Sequence, residues 1–211
     1  MARARSDIPY RSQYASPALI GEILAGRVAV AEDPRWRETG AADSEEYVRW
    51  ARSGCGMACL QMILEARGEQ PVPALAELGR RAITHGAYEA RPARGFGPLI
   101  YAGFVDFLAA ELDLRARVAA PLELDDLVAA VAADEVVLAS VSNEIRALPA
   151  QPTRRGGHLV LVFEASADGR RLRFHDPAGD GPHNTSGVWL EREVFERFYA
   201  GRGVAVELPR E

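Results

Sequence analysis

Lysine is absent: the chain of 211 residues carries 25 basic side chains, all of them arginine, against 30 acidic ones, for a net charge of −5. That absence excludes Schiff-base lysine chemistry, whether of pyridoxal enzymes or of lysine-dependent aldolases. It equally excludes an ordinary nucleoside triphosphatase, whose phosphate loop needs a lysine. Arginine stays protonated at any working pH. Proton transfer near neutrality therefore falls to histidine, cysteine or a tuned carboxylate. Cysteine is scarce too. Cys55 and Cys59, four positions apart, do not make an extracellular disulfide framework. No segment approaches the ~20 apolar residues that span a bilayer, and the lead from Met1 to Tyr10 lacks the apolar run of a signal peptide. A cytoplasmic location is expected. No basic patch dominates, so neither a nucleic-acid nor a membrane partner is expected.

What is present is ordinary globular composition, with 48% hydrophobic and 26% charged residues. The length suits one domain over 1–211, burying about 70% of its unfolded surface. The first fifty residues read as irregular, with a short apolar stretch from Pro17 to Leu24 and turns at Asp33-Pro34 and Gly40 to Asp43. Cys55 to Arg67 predicts a helix apolar almost all round, which belongs inside a core. Gly68 is its expected cap. Further helices are predicted over Val72 to Ala82, Leu99 to Leu112 and Leu122 to Ala133. Strands follow at Val136 to Val141, His158 to Glu164, Arg171 to His175, Val188 to Leu190 and Gly203 to Glu207, with a short helix near Glu191 to Tyr199. Helices first and antiparallel strands later predict an α+β fold, a helical N-terminal part packed on a C-terminal antiparallel β-sheet.

Cys55 opens the buried helix directly after Ser53-Gly54. A thiol there meets the positive end of the helix dipole and unpaired N–H groups, which favour the thiolate. His158 opens a strand after Gly156-Gly157, and Asp176 closes the next one at Asp-Pro. Nucleophile, base and orienter are thus available in the order Cys, His, Asp. Side-chain alternation places His158 on the face of Val160 and Val162. A strict two-residue Asp168-Gly169 turn would pair Asp176 with Leu161, on the wrong face. A three-residue turn, or a bulge nearby, is required instead and would pair Asp176 with Val162.

The boxes Cys-Gly-Met-Ala-Cys-Leu at 55–60, Gly-Gly-His-Leu-Val-Leu-Val at 156–162 and Phe-His-Asp-Pro-Ala at 174–178 resemble those of the bacteriocin-processing cysteine peptidases, family thirty-nine of the cysteine peptidases. The resemblance covers the pattern of most of residues 53–205. It implies a papain-like fold, a Cys55–His158–Asp176 triad and no metal or organic cofactor. Members of that family cut leader peptides after double glycine and carry a glutamine shortly before the cysteine, for the oxyanion hole. The stretch Tyr47 to Arg52 contains none. The lead Ile8-Pro9-Tyr10-Arg11-Ser12-Gln13 resembles the surroundings of that glutamine in stand-alone members, which makes Gln13 the candidate and 14–46 an insertion before the nucleophile.

Plainer readings compete at each position. Cys59 reads as a core residue, and a metal site shared with Cys55 lacks further ligands at zinc spacing. His175 and His183 read as strand-face or loop residues. Asn184 is the reserve orienter, and Gln13 could be an ordinary surface glutamine. The arginine pairs at 154–155 and 170–171 read as solvated. The expected function is a cysteine hydrolase acting on an amide in a peptide or peptide-like substrate. Two alternatives remain. One is an acyl- or peptidyl-transferase with 14–46 as a water-excluding lid. The other is a degenerate domain that binds peptides without cutting them. The sequence leaves the oligomeric state open.

Overall fold

A computed structural model describes residues 8–91, 95–181 and 183–208. Among these, seven α-helices are formed: α1 (Ile20–Leu24), α2 (Ser44–Ser53), α3 (Cys55–Ala66), α4 (Leu75–Thr84), α5 (Tyr101–Leu112), α6 (Leu124–Ala132) and α7 (Arg192–Phe198). The strands are a two-residue ribbon, β1 (Ala90–Arg91) with β2 (Gly95–Phe96), followed by β3 (Ala116–Ala119), β4 (Glu135–Val141), β5 (His158–Ala165), β6 (Arg171–His175), β7 (Val188–Glu191) and β8 (Tyr199–Glu207). The last six make one sheet in the order β3-β8-β4-β5-β6-β7, antiparallel throughout.

Both faces of this sheet are covered. Leu138, Leu161, Phe163, Val204 and Val206 pack under α3, α4 and α5. Their alternating neighbours Val137, Ala139, Val160, Val162 and Ala205 pack with α6 and α7, as a period of two demands. Helix α3 lies in the first layer. Met57, Ala58, Leu60, Met62 and Ile63 are all fully buried, so the all-round apolar pattern of α3 is explained by contacts on every side.

Helix α2 departs from the expectation of an irregular first fifty residues. Asp43 caps it by accepting from the Glu46 N–H at 2.7 Å, and the Glu46 carboxylate turns back to accept from the Ala42 N–H at 2.7 Å. Such a reciprocal cap satisfies donors that a helix start leaves unpaired. Tyr47, Trp50 and Ala51 make the buried stripe.

The segment 14–46 folds against that stripe. Tyr14, Ile20 and Ile23 join Tyr47, Ala51 and Ala178 in a third apolar cluster. Its polar anchor is Asp33, which is 1% exposed. Asp33 accepts from the Ser16 N–H and hydroxyl (3.0 and 2.6 Å), from the Tyr47 hydroxyl (2.6 Å) and from the Arg35 N–H (3.0 Å). Burial pushes this carboxyl up, but the hydrogen bonds win and hold it below its usual value. An Asp33→Ala variant leaves buried donors unpaired, at about 1–3 kcal/mol for each one that water cannot reach. The expected loss is ~2–3 kcal/mol in urea unfolding. Because the folded value is depressed, the carboxylate's contribution is present above the unfolded value of about 3.9 and is lost as pH falls through the folded one. Wild-type and variant stabilities should therefore converge in acid. Curves that stay parallel down to about pH 2 would show that Asp33 carries no such load.

Candidate active site

The break between α2 and α3 sets the position of Cys55. Gly54 joins the two helices, and a Cβ there would lie 2.6 Å from the Trp50 carbonyl oxygen and 3.0 Å from Leu75 Cδ2. Only glycine fits so close a junction. Cys55 is thereby the first residue of α3, and the first bond into the new helix is Ala58 N–H to Gly54 O at 2.9 Å. The N–H groups of residues 55–57 accordingly lack intrahelical acceptors. The thiol is partly exposed and opens onto a cleft of ≈ 680 Å³ whose walls include Phe96, Leu99, Tyr101, Ser140, His158 and Arg202.

His158 begins β5 beside Val141 of β4 and is almost completely buried. Its Nε2 lies 2.6 Å from Asp176 Oδ1, and the Cys55 side chain is close enough to act on its ring. Since Nε2 serves the carboxylate, Nδ1 is the atom left for the thiol. Burial alone would lower the His158 pKa. The charge and hydrogen bond of Asp176, followed by the contact with Cys55, outweigh it and raise the value to about 9.

Asp176 reaches His158 by a route that differs from the expected turn. Gly169 is left-handed (φ 67°), and near the turn Ala165 faces Leu172 and Glu164 faces Arg173. That is the register of the simple connection. A bulge then falls between Val162 and Glu164, with Phe163 as the extra residue, so Val162 faces Phe174 and Leu161 faces His175. Continued by one residue, the pairing sets Asp176 opposite Val160 and not Val162. The change of face arises in the strand and not in the turn. Asp176 Oδ1 also accepts from the Ala178 N–H at 2.8 Å, which fixes the carboxylate against its own backbone.

The lead segment is tied to the same turn. Tyr10 donates its hydroxyl to the Asp176 carbonyl (3.2 Å), Ser12 donates to the Pro177 carbonyl (3.2 Å), and the Gln13 N–H donates to that carbonyl at 2.9 Å. Gln13 is buried, and its Nε2 donates to the Ala51 carbonyl at 2.7 Å. It therefore bridges the Asp176 turn and the last turn of α2, one helical turn before Cys55. It is not among the residues lining the cleft.

The remaining candidates fall elsewhere. Cys59 is fully buried, its thiol directed at the Leu159 carbonyl (4.0 Å), and burial pushes its pKa well up. His175 donates from Nε2 to the Ile8 carbonyl and accepts the Gly187 N–H at Nδ1 (2.8 and 2.9 Å). Burial lowers its pKa to about 4, so it is a neutral structural clamp for the lead segment. His183 is exposed. Asn184 is engaged with the backbone of Asp180, Gly181 and Arg146. No group of three His, Cys, Asp or Glu among the described residues could hold a metal ion. No residue of 14–46 lines the cleft, so the lid expected for a transferase is not formed there by that segment. Sequence reasoning missed Tyr101, Ser140 and Arg202. Each is an isolated polar residue on a separate element, and only the tertiary structure brings them together.

The helical layers against an antiparallel sheet are similar in fold to a solved structure of a Bacillus anthracis protein provisionally assigned as a C39-like peptidase. The match has a TM-score of 0.56 at 12% identity and covers 100% of both chains. At that identity the likeness is one of fold. No family model matches the sequence, and no curated protein matches it. Among the described residues no helix is long and apolar enough to cross a membrane.

Proposed function

We propose that the chain is a papain-like cysteine hydrolase that cleaves an amide bond in a peptide or peptide-like substrate. What supports the reading is His158 bonded to the Asp176 carboxylate in the wall of an open cleft that Cys55 also lines. Cys55 passes its proton to His158 and attacks the amide carbonyl as thiolate, forming the C–S bond. The resulting oxyanion is met by the Cys55 N–H, while Gln13, bonded to the Ala51 carbonyl outside the cleft lining, is given no direct part. His158 then gives its proton to the leaving nitrogen as the C–N bond breaks. Water, deprotonated by His158, cleaves the thioester and releases the acid. Asp176 holds the imidazole in one tautomer and balances its charge. The substrate's sequence is not set by these groups, and double-glycine specificity does not follow from them.

The test is alkylation by iodoacetamide from about pH 4 to about pH 9, with the adduct mapped by mass spectrometry. The expected result is fast, selective labelling of Cys55 well below the ordinary thiol range of about 8.5, with Cys59 untouched. Slow labelling, or equal labelling of the two cysteines, would overturn the proposal.

A further inference from the structure

On the far side of His158 from Asp176's turn, the cleft wall carries three polar groups that the proposed chemistry leaves without a task. Tyr101 opens α5, Ser140 lies in β4 and Arg202 in β8, and all three line the cleft. Burial raises the Tyr101 pKa, and the neighbouring Ser140 and Arg202 act on the hydroxyl in the opposite direction. A Cβ placed on Gly156 would lie 3.1 Å from Arg202 Nη2 and 3.2 Å from Ser140 Oγ. The cation and the buried serine thus stand against the backbone two residues before His158.

Many described arginines meet no carboxylate, and both arginines that line the cleft, Arg52 and Arg202, are among them. Arg11, Arg27, Arg35, Arg80, Arg81, Arg115, Arg117, Arg173 and Arg192 each meet a carboxylate. Among the described residues no carboxylate pairs with Arg202, and none lines the cleft. A guanidinium facing an acid-free cleft is suited to an external anion. Guanidinium geometry matches a carboxylate through two parallel hydrogen bonds.

We infer that Arg202, which stands with Ser140 against the Gly156 backbone in the cleft wall, binds a carboxylate of the substrate beside the scissile bond. This makes Arg202 a specificity-determining residue for an acidic substrate. The inference rests on the proposed role of Cys55 as nucleophile. The carboxylate can be the free C-terminus of the leaving residue or an Asp or Glu side chain.

Two disulfide reagents test it. In each the Cys55 thiolate attacks one sulfur, a mixed disulfide forms, and a coloured thiol leaves. Dithiobis(nitrobenzoate) carries a carboxylate on each ring, whereas dithiodipyridine is uncharged near neutral pH. The expected result is that Arg202→Gln slows the carboxylate reagent about fivefold or more and changes the neutral one less than twofold. Tyr101→Phe should give a smaller loss of the same sign, and Arg52→Gln, at the other arginine of the cleft lining, should alter the ratio less than twofold. The neutral reagent also reports whether each variant is folded. A ratio unchanged in Arg202→Gln, or lowered equally in Arg52→Gln, would overturn the subsite. If wild-type Cys55 reacts slowly with both reagents, it is the nucleophile reading that fails. Protection from iodoacetamide by acetyl-Ala-Ala, compared with its amide and with acetyl-Ala-Asp amide, then assigns the source. Only the carboxylate compounds should protect wild type, and neither should protect Arg202→Gln.

Discussion

Replacing His158 by Gln should lower the rate of Cys55 alkylation at about pH 6 by tenfold or more and remove its low-pH plateau. A free thiol with a pKa of about 8.5 is only ~0.3% ionised at that pH, so loss of an ion pair removes up to about 300-fold of the thiolate. A more basic thiolate is a better nucleophile, which offsets part of the loss. The ionised fraction is still the larger effect, and the variant's rate should climb about tenfold per pH unit toward the thiol range. Turnover of any amide substrate should fall further, by about 10²–10⁴-fold, because the leaving amine also loses its acid. Asp176→Asn should be milder in labelling, since an amide oxygen can still accept from Nε2 while the stabilising charge is gone. The stability effect has the opposite pH sense to that of Asp33. A histidine raised to about 9 stabilises the fold fully below its unfolded value of about 6.5, and the contribution is lost as pH rises through about 9. If the His158→Gln variant kept the wild-type labelling profile, the thiol would be activated by something other than this histidine.

The cysteine and histidine were legible because their signals are local. A thiol after Ser53-Gly54 at the head of an apolar run, and a histidine after two glycines at the head of another, can be read without knowing the fold. Asp176 was legible only as a condition. Its meeting with His158 depends on one extra residue at Phe163, and the run His158 to Glu164 contains no glycine or polar break to mark a bulge. Gln13 could be named but not placed, because its contact with Ala51 joins segments 38 positions apart. The two-sided burial of the sheet was written in β4 and β5, whose near-continuous apolar runs lack the alternation of a half-exposed strand. Which helices cover which face was not. Helix α2 had a readable signal in Asp43 and Glu46 at cap spacing, followed by Tyr47, Trp50 and Ala51. Glu45, Arg49 and Arg52 dilute that stripe in a plain reading of hydrophobicity.

The largest loss of stability is expected where α2 meets α4. Trp50 is fully buried, packs on Tyr88 and Phe96 with ring centroids 5.4 and 4.2 Å away, and sits four residues before Gly54. Truncating it to alanine removes that packing from the layer that holds the cysteine helix, at a cost of about 3–5 kcal/mol. Gly79 of α4 admits the ring: a Cβ there would lie 2.2 Å from Trp50 Cη2 and 2.3 Å from Cζ2. Two effects oppose each other in Gly79→Ala. Helix propensity favours alanine by about 1 kcal/mol, while forcing a methyl group into a rigid, fully packed ring costs about 1–3 kcal/mol or more. A contact more than 1 Å inside normal van der Waals separation cannot be relieved by a small shift, so overpacking should win and Gly79→Ala should destabilise. In a Trp50→Ala background the obstruction is gone. The same Gly79→Ala change should then become neutral or stabilising by up to ~1 kcal/mol, a change of sign that reports the coupling directly. Urea unfolding of the four proteins in this cycle gives the answer. A Gly79→Ala effect that was identical with and without Trp50 would mean that the glycine is not there to accommodate the ring.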